Sequence, residues 1–419
     1  MLSALTNSLK VKGLREKIFF ILAMIAVYRI GAHIPVPGVD PSRLSELFQQ
    51  GGLLGFLDMF SGGALRRFTI FAMSINPYIT ASIIMQLLTV VIPRLEELSK
   101  QGQEGKKVIA QYTRYATVVL ALIQGFGITL WIKNLGAIAN PTYFTLFTII
   151  ITLTAGTAFL MWLGEQITDK GIGNGISIII FASVISRAPS AVIGIVRKLQ
   201  VGAISIFNVF FFLIIAVVIV AAIIYIQQGE RKIPVQYSKR VVGRKVYGGQ
   251  STHIPLKVNQ AGVIPVIFAS SVLLFPATIA KILPYGWAQS LADALSPGSA
   301  LYTALYALLI IFFTYFYTAI QFNPREVADN IKQNGGFVPG RRPGRPTAEY
   351  LDRILTRITL AGAIFLAAVA VLPNFVMSIT GIEVRFGGTA LLIVIGVALQ
   401  TMKEIETQLL QRHYQGFME

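Results

Sequence analysis

Within the long apolar stretches of this 419-residue chain, side chains that could do chemistry are few, and they gather in one place. The stretch FTIFAMSINPYITASIIMQLLTVVI, residues 68–92, carries Ser74, Asn76, Thr80, Ser82, Gln86 and Thr89. At about 100° per residue, Ile75, Ile79, Ser82 and Gln86 fall on one narrow stripe. A stripe facing lipid has no need of Gln86. Amide and hydroxyl groups set among isoleucines can glue one helix to another, or wet a path that the isoleucines close at one level. Residues 261–280 repeat the pattern: Ile264, Ile267 and Ser271 share a face, while Pro265 and Pro276 weaken the helical ladder, as is tolerated where protein or water satisfies the freed carbonyls. Both stretches read as helices that line something and can shift.

Other chemistry is excluded by residue type. The chain has no cysteine, which removes thiol catalysis, disulfides and thiolate metal sites. Its three histidines, His33, His253 and His413, lie in loops or near the ends of apolar stretches, and no carboxylate sits mid-stretch. The segment KQGQEGKKV lacks the glycine spacing and the Ser or Thr of a phosphate loop, and no HExxH occurs. GIGNGIS, 171–177, reads as a tight entry turn into a helix. No enzyme activity, cofactor or metal site is expected, and Arg29 is expected to snorkel or to pair.

The elements that must position these residues are membrane spans. The chain is 54% hydrophobic and 13% charged, with mean hydropathy +0.66, the composition of a polytopic membrane protein. Apolar runs of about 17–25 residues give ten spans, at 18–34, 68–92, 115–132, 143–163, 173–190, 203–226, 261–280, 300–320, 354–372 and 387–402, the fifth interrupted by Arg187 and Pro189. Most of the 36 lysines and arginines fall on the side of the termini, which the positive-inside rule makes cytoplasmic. The net charge of +17 is therefore largely topological. Lys10, Lys12, Arg15 and Lys17 precede the first span, but AVYRIGAHIPVPG offers no small-residue cleavage site, so that span is expected to be retained.

Three segments do not fit a simple bundle. GGLLGFLDMFSGGALRRF, 51–68, holds an apolar stub, Leu53 to Phe60. As a helix it would reach about 12 Å, against about 30 Å of hydrocarbon. The loops 227–258 and 321–353 are long and basic. In the first, alternating Val, Tyr and Ile with GR and GG turn material predict a hairpin; in the second, FVPGRRPGRP predicts stiff, tight turns. On these residues alone, three readings remain: a passive polypeptide channel, a secondary transporter with inverted repeats and broken helices, and an intramembrane enzyme or scaffold. The transporter lacks coupling carboxylates, and the enzyme lacks a catalytic constellation.

FSGGALRRFTIFAMSINPYITASIIMQLL, FLMWLGEQITDKGIGNGISIIIFAS, QSTHIPLKVNQAGVIPVIFASS, FNPREVADNIKQNGGFVPGRRPG and RFGGTALLIVIGVAL together resemble the SecY family (SecY/Sec61-alpha), the central subunits of protein-conducting channels, over nearly the whole chain. The resemblance implies an all-α polytopic membrane protein: ten transmembrane helices in two pseudo-symmetric five-helix halves, 1–199 and 200–419, around a central pore. It makes the stub a plug, 53–63, with Leu53, Leu54, Phe56, Leu57, Met59 and Phe60 sealing the pore and Gly51, Gly52, Gly62 and Gly63 as pivots. The pore ring maps onto Ile75, Ile79, Ile176, Ile180, Ile267 and Ile393. The lateral gate maps onto the second and seventh spans, with Asn76, Thr80, Ser82, Gln86 and Ser271 at the seam, where Asn76 stands in place of a more apolar residue. Docking of the SecA ATPase or the ribosome maps onto Arg244, Lys245, Arg341 and Arg342. SecE and SecG subunits, signal sequences, unfolded preproteins and lipid are the further partners implied, in the bacterial cytoplasmic membrane.

Overall fold

The computed structural model describes residues 11–42, 44, 58, 61–237, 240–242, 245–247, 251–282, 285–296, 299–380 and 388–415. In chain order the helices are α1 (Lys12–Gly31), α2 (Asn76–Val91), α3 (Pro93–Lys100), α4 (Gln103–Asn134), α5 (Tyr143–Lys170), α6 (Gly175–Ile185), α7 (Ala188–Gln200) and α8 (Ile206–Gln228). Strands β1 (Glu230–Tyr237), β2 (Arg240–Val242), β3 (Lys245–Tyr247) and β4 (Ser251–Lys257) follow. The remainder is α9 (Ile264–Ile282), α10 (Gly286–Ala294), α11 (Ala300–Gln321), α12 (Pro324–Gln333), β5 (Gly336–Phe337), α13 (Arg345–Thr380) and α14 (Gly388–Gln415). By length and composition, six of the described helical stretches can cross a membrane, or seven if α2 and α3, bent by 100° at Ile92, count as one.

Two expected spans differ from the sequence reading. Residues 61–75 form successive turns and the helix starts only at Asn76. Phe68 (φ 47°) and Ser74 (φ 54°) adopt left-handed backbone that an α-helix excludes, and Pro77 sits in the first turn, where a missing N–H costs nothing. The turns are held instead by the segment after α1: Val36 N–H donates to Phe68 O at 2.9 Å and Ile70 N–H to Ile34 O at 3.0 Å. Glycine admits them to the bundle, since a Cβ on Gly156 of α5 would lie 1.9 Å from Ile70 O. The fifth span is broken at Ser186–Arg187, where Pro189 opens α7.

Helices α1, α2, α4, α5 and α6 pack on one another, as do α8, α9, α11, α13 and α14. Between these groups the principal contacts are α9 on α2 and α4, and α14 on α6. One apolar cluster runs through both, with Ile79 and Ile83 of α2, Ile180 of α6, Ile267 and Phe268 of α9 and Ile393 of α14 among its buried members.

The two basic loops form a single platform at one end of the bundle. β1 and β4 pair antiparallel from Glu230↔Lys257 to Gln236↔Ser251, the hairpin that the alternation predicts. β5, from the second loop, then adds to β1 through Gln236↔Phe337. Beneath this sheet Ile233, Val235 and Leu256 pack against Ala328 and Ile331 of α12 and Leu351 and Leu355 of α13. Asn323 caps α12, its side chain accepting from Arg325 N–H at 3.1 Å. That helix was not evident in the sequence.

Candidate channel site

Five of the six predicted ring isoleucines are buried in the shared cluster: Ile75, Ile79, Ile180, Ile267 and Ile393; Ile176 is half-buried against it. Four elements bring them together. Ile75 is not within α2 but is its N-cap residue, and its carbonyl accepts from Ile79 N–H at 3.1 Å. The pair thus keeps one-turn spacing although the first member stands on a turn. On α6, Ile176 and Ile180 are one turn apart on a helix that enters through Gly173 (φ 78°) and Asn174, whose side chain accepts from Ser177 N–H. This is the tight entry turn expected for GIGNGIS. β-branched side chains hold few rotamers, so the cluster is both apolar and stiff.

The polar residues lie beside it. Asn76, Thr80, Ser82 and Gln86 are half-buried on α2, and Ser271 is buried on α9, the helix that α2 packs against. Thr80 Oγ1 donates back to Asn76 O at 3.1 Å, and Gln86 Nε2 reaches Ser82 Oγ at 3.4 Å. Gln86 Oε1 is buried without a hydrogen-bond partner among the described residues. A buried acceptor left unpaired costs about 1–3 kcal/mol, a cost that falls on this one atom of the stripe.

A buried polar knot, not evident from the sequence, fastens the turns that precede α2. Asp58, 1% exposed, pairs through Oδ2 with Arg187 Nη1 at 2.9 Å. Asp58 Oδ1 accepts from Arg66 N–H at 2.9 Å, and its carbonyl accepts from Gly63 N–H at 3.1 Å. Tyr28 Oη lies 2.6 Å from Ser183 Oγ and 3.2 Å from Ser61 O, and Arg29 Nη1 donates to Gly62 O at 3.4 Å. Gly62 and Gly63, expected as pivots, hold a left-handed turn pinned by these contacts. The sequence did carry a signal: a carboxylate in an apolar stub and an arginine in an apolar run are each costly to bury alone, and pairing resolves both. The predicted plug side chains Leu53, Leu54, Phe56, Leu57, Met59 and Phe60 lie outside the described residues.

On the platform, Arg341 and Arg342 are exposed in turns shaped by Gly340 (φ 77°) and Gly344 (φ 89°). The Arg341 guanidinium stacks 4.9 Å from the Tyr350 ring centroid, and Arg342 O accepts from Thr347 Oγ1 at 2.8 Å, which leaves the Arg342 head to solvent. Arg244 lies outside the described residues; Lys245 opens β3, paired with Val242. Among the described residues no group of three or more His, Asp or Glu is placed to hold a metal ion.

Comparison with known proteins agrees with this arrangement. A family model described as SecY matches residues 69–402. The protein translocase subunit SecY of Streptomyces scabiei is 50% identical over the full length of both chains, and that of Escherichia coli K12 is 46% identical over 96% of this chain and 93% of its own. Among solved structures, a protein conducting channel superposes with TM-score 0.65 at 18% identity, covering 93% of this chain and 91% of its own. Sec61 in a canine ribosome–channel complex superposes at 0.62, with 16% identity and the same coverage. With several helices apolar enough to cross a bilayer, a fold shared with those channels and about half of its residues identical to those of translocase subunits along its length, this multi-pass membrane protein belongs to the SecY family.

Proposed function

We propose that the chain is the protein-conducting channel of a bacterial cytoplasmic membrane, passing unfolded preproteins across it and releasing apolar segments sideways into lipid. The observation that carries this reading is the convergence of the ring isoleucines, from the turn before α2 and from α2, α6, α9 and α14, on one buried cluster. The helices that bear them come from the two groups expected as halves, 1–199 and 200–419. Ten spans, with the termini and platform cytoplasmic, accommodate all the long apolar helices.

In this reading the isoleucines form a gasket around an extended chain and limit ion leak when it is absent. Residues 53–63 seal the resting pore, held at their middle residue by the Asp58–Arg187 pair. The α2–α9 contact is the lateral gate: Asn76, Thr80, Ser82, Gln86 and Ser271 tolerate water when it opens, and hydrocarbon-seeking segments partition out between the helices. The seam beside Asn76 is weaker and wetter than an apolar residue would make it. Energy comes from a partner, SecA or a translating ribosome, docking on Arg244, Lys245, Arg341 and Arg342. Arginine's planar fork suits phosphate and carboxylate, and ribosome binding weakens with salt through counterion release. SecE and SecG complete the complex, and signal sequences open it. The chain itself hydrolyses nothing.

The absence of cysteine makes the test clean. Single cysteines at Ile79, Ile267 and Ile393, with exposed Phe210 as lipid-facing control, are offered to a translocating chain arrested with one cysteine at mid-membrane. Disulfides at the three isoleucines and not at Phe210 are expected. Engagement of the arrested chain without disulfides at any of the three would overturn the path.

A further inference from the structure

α9 leaves the platform just after Val258, so α10, which follows its distant end, lies at the opposite end of the bundle. α10 has nine residues, about 13 Å of helix, and carries three distinct stripes. Ala288 and Ala292, one turn apart, are buried with Ala280 of α9. Trp287 and Leu291, also one turn apart, are 65% and 41% exposed; Tyr285, the N-cap residue, is 58% exposed, its ring stacked on Trp287 with centroids 6.3 Å apart. Gln289 and Asp293 are exposed on the third side. At about 100° per residue the alanine stripe lies roughly 100° round from the Trp287 stripe, and the polar stripe roughly 100° further. The alanine stripe therefore faces protein, and the Trp287 and Gln289 stripes flank it on nearly opposite sides of the helix.

We propose that α10 is an interfacial anchor, lying in the headgroup–acyl boundary of the bilayer at that end with Tyr285, Trp287 and Leu291 immersed and Gln289 and Asp293 in water. A bilayer fits this face for three reasons. The next span, α11, likewise presents exposed apolar side chains, Leu301, Leu308 and Phe312. Trp and Tyr, apolar bodies with one polar atom, are the residues suited to that boundary. The stripe carries no charge, and α10 has no Lys or Arg, so the contact rests on apolar burial rather than on attraction to anionic headgroups. Because the alanines hold α10 to α9, the membrane fixes the level of the far end of α9, the helix that packs against α2. This holds whether or not that contact opens, so the anchor stands apart from the channel reading.

The test uses single cysteines at Leu291→Cys and Gln289→Cys, both at exposed positions, each carrying a nitroxide. The full chain, with the subunits that co-purify, is reconstituted into phosphatidylcholine–phosphatidylglycerol vesicles. Relaxation by oxygen, which dissolves in hydrocarbon, is compared with relaxation by a water-soluble nickel chelate. The label at 291 is expected to favour oxygen over nickel several-fold more than the label at 289. An equal preference at the two positions, in either direction, would overturn the anchor. Shielding of position 291 from both reagents would show a protein partner on this face and would overturn it equally. No transport is read, so the result does not depend on the channel reading.

Discussion

Two ion pairs of nearly equal length sit in opposite surroundings, one buried and one in water. Asp58 and Arg187 meet at 2.9 Å with side chains 2% and 17% exposed; Arg345 and Glu349, on the platform, meet at 3.0 Å with side chains 90% and 61% exposed. The distances say nothing of the difference. Two charges taken from water lose several kcal/mol of solvation each, and their attraction offsets this only while both are present. In water the same attraction is screened and opposed by side-chain entropy. The buried pair is therefore a fastener: it adds little net stability, yet neither half can be removed cheaply. The surface pair contributes little to the position of anything.

The largest effect should come from splitting the buried pair. Asp58→Asn removes the buried carboxylate 2.9 Å from Arg187 Nη1 and should cost about 3–5 kcal/mol, read as a fall in the thermal midpoint of the purified protein and a rise in resting ion conductance across planar bilayers. Replacing both residues, Asp58→Asn with Arg187→Met, should recover most of the stability while leaving the conductance raised. An unchanged midpoint in Asp58→Asn would remove the contrast between the two pairs.

Next in size is the isoleucine cluster. Ile393→Ala, at a fully buried position, should cost about 2–5 kcal/mol through lost burial and the cavity left behind. The same change at half-buried Ile176 should cost clearly less in parallel thermal melts. Equal losses would mean that the cluster yields uniformly and is not the stiff gasket described above.

At the platform the effects on stability shrink while those on partners need not. Arg341→Ala should lose about 0.5–1 kcal/mol with the stacking on Tyr350. Arg342→Glu should leave the midpoint unmoved and impair ATPase- or ribosome-driven transport, most clearly at low salt, since salt already weakens the wild-type contact; unimpaired transport would remove it from the docking surface. Glu349→Gln is the smallest, within about 0.5 kcal/mol, and a larger loss would show that exposure alone does not set the value of an ion pair here.

Much of the helical layout could be read along the chain, because a span needs a continuous apolar run and that run is visible wherever it occurs. The β1–β4 hairpin was legible for a similar reason, as period-two alternation between turn residues. The start of α2 was not: the run from Phe68 is apolar enough for a helix, and only the left-handed Phe68 and Ser74, with the hydrogen bonds from residues 34–36, make it a set of turns. Among the site residues, periodicity put Ile267 on a face with Ile264 and Ser271 but did not mark out Ile393 in a chain so rich in isoleucine; the family resemblance assigned both to one ring, and the packing shows them in one cluster.

By itself, then, the sequence determined the solvent this protein folds in, most of its spans, the basic side, and the polar side chains set among isoleucines on α2. These follow from local composition and period, which neighbouring residues carry together. Tertiary structure alone decided that Asp58 meets Arg187, that β5 of one basic loop joins β1 of the other, and that isoleucines from distant helices share a core. Each of these joins residues far apart in the chain, whose meeting depends on how every intervening helix packs, and no local pattern encodes that.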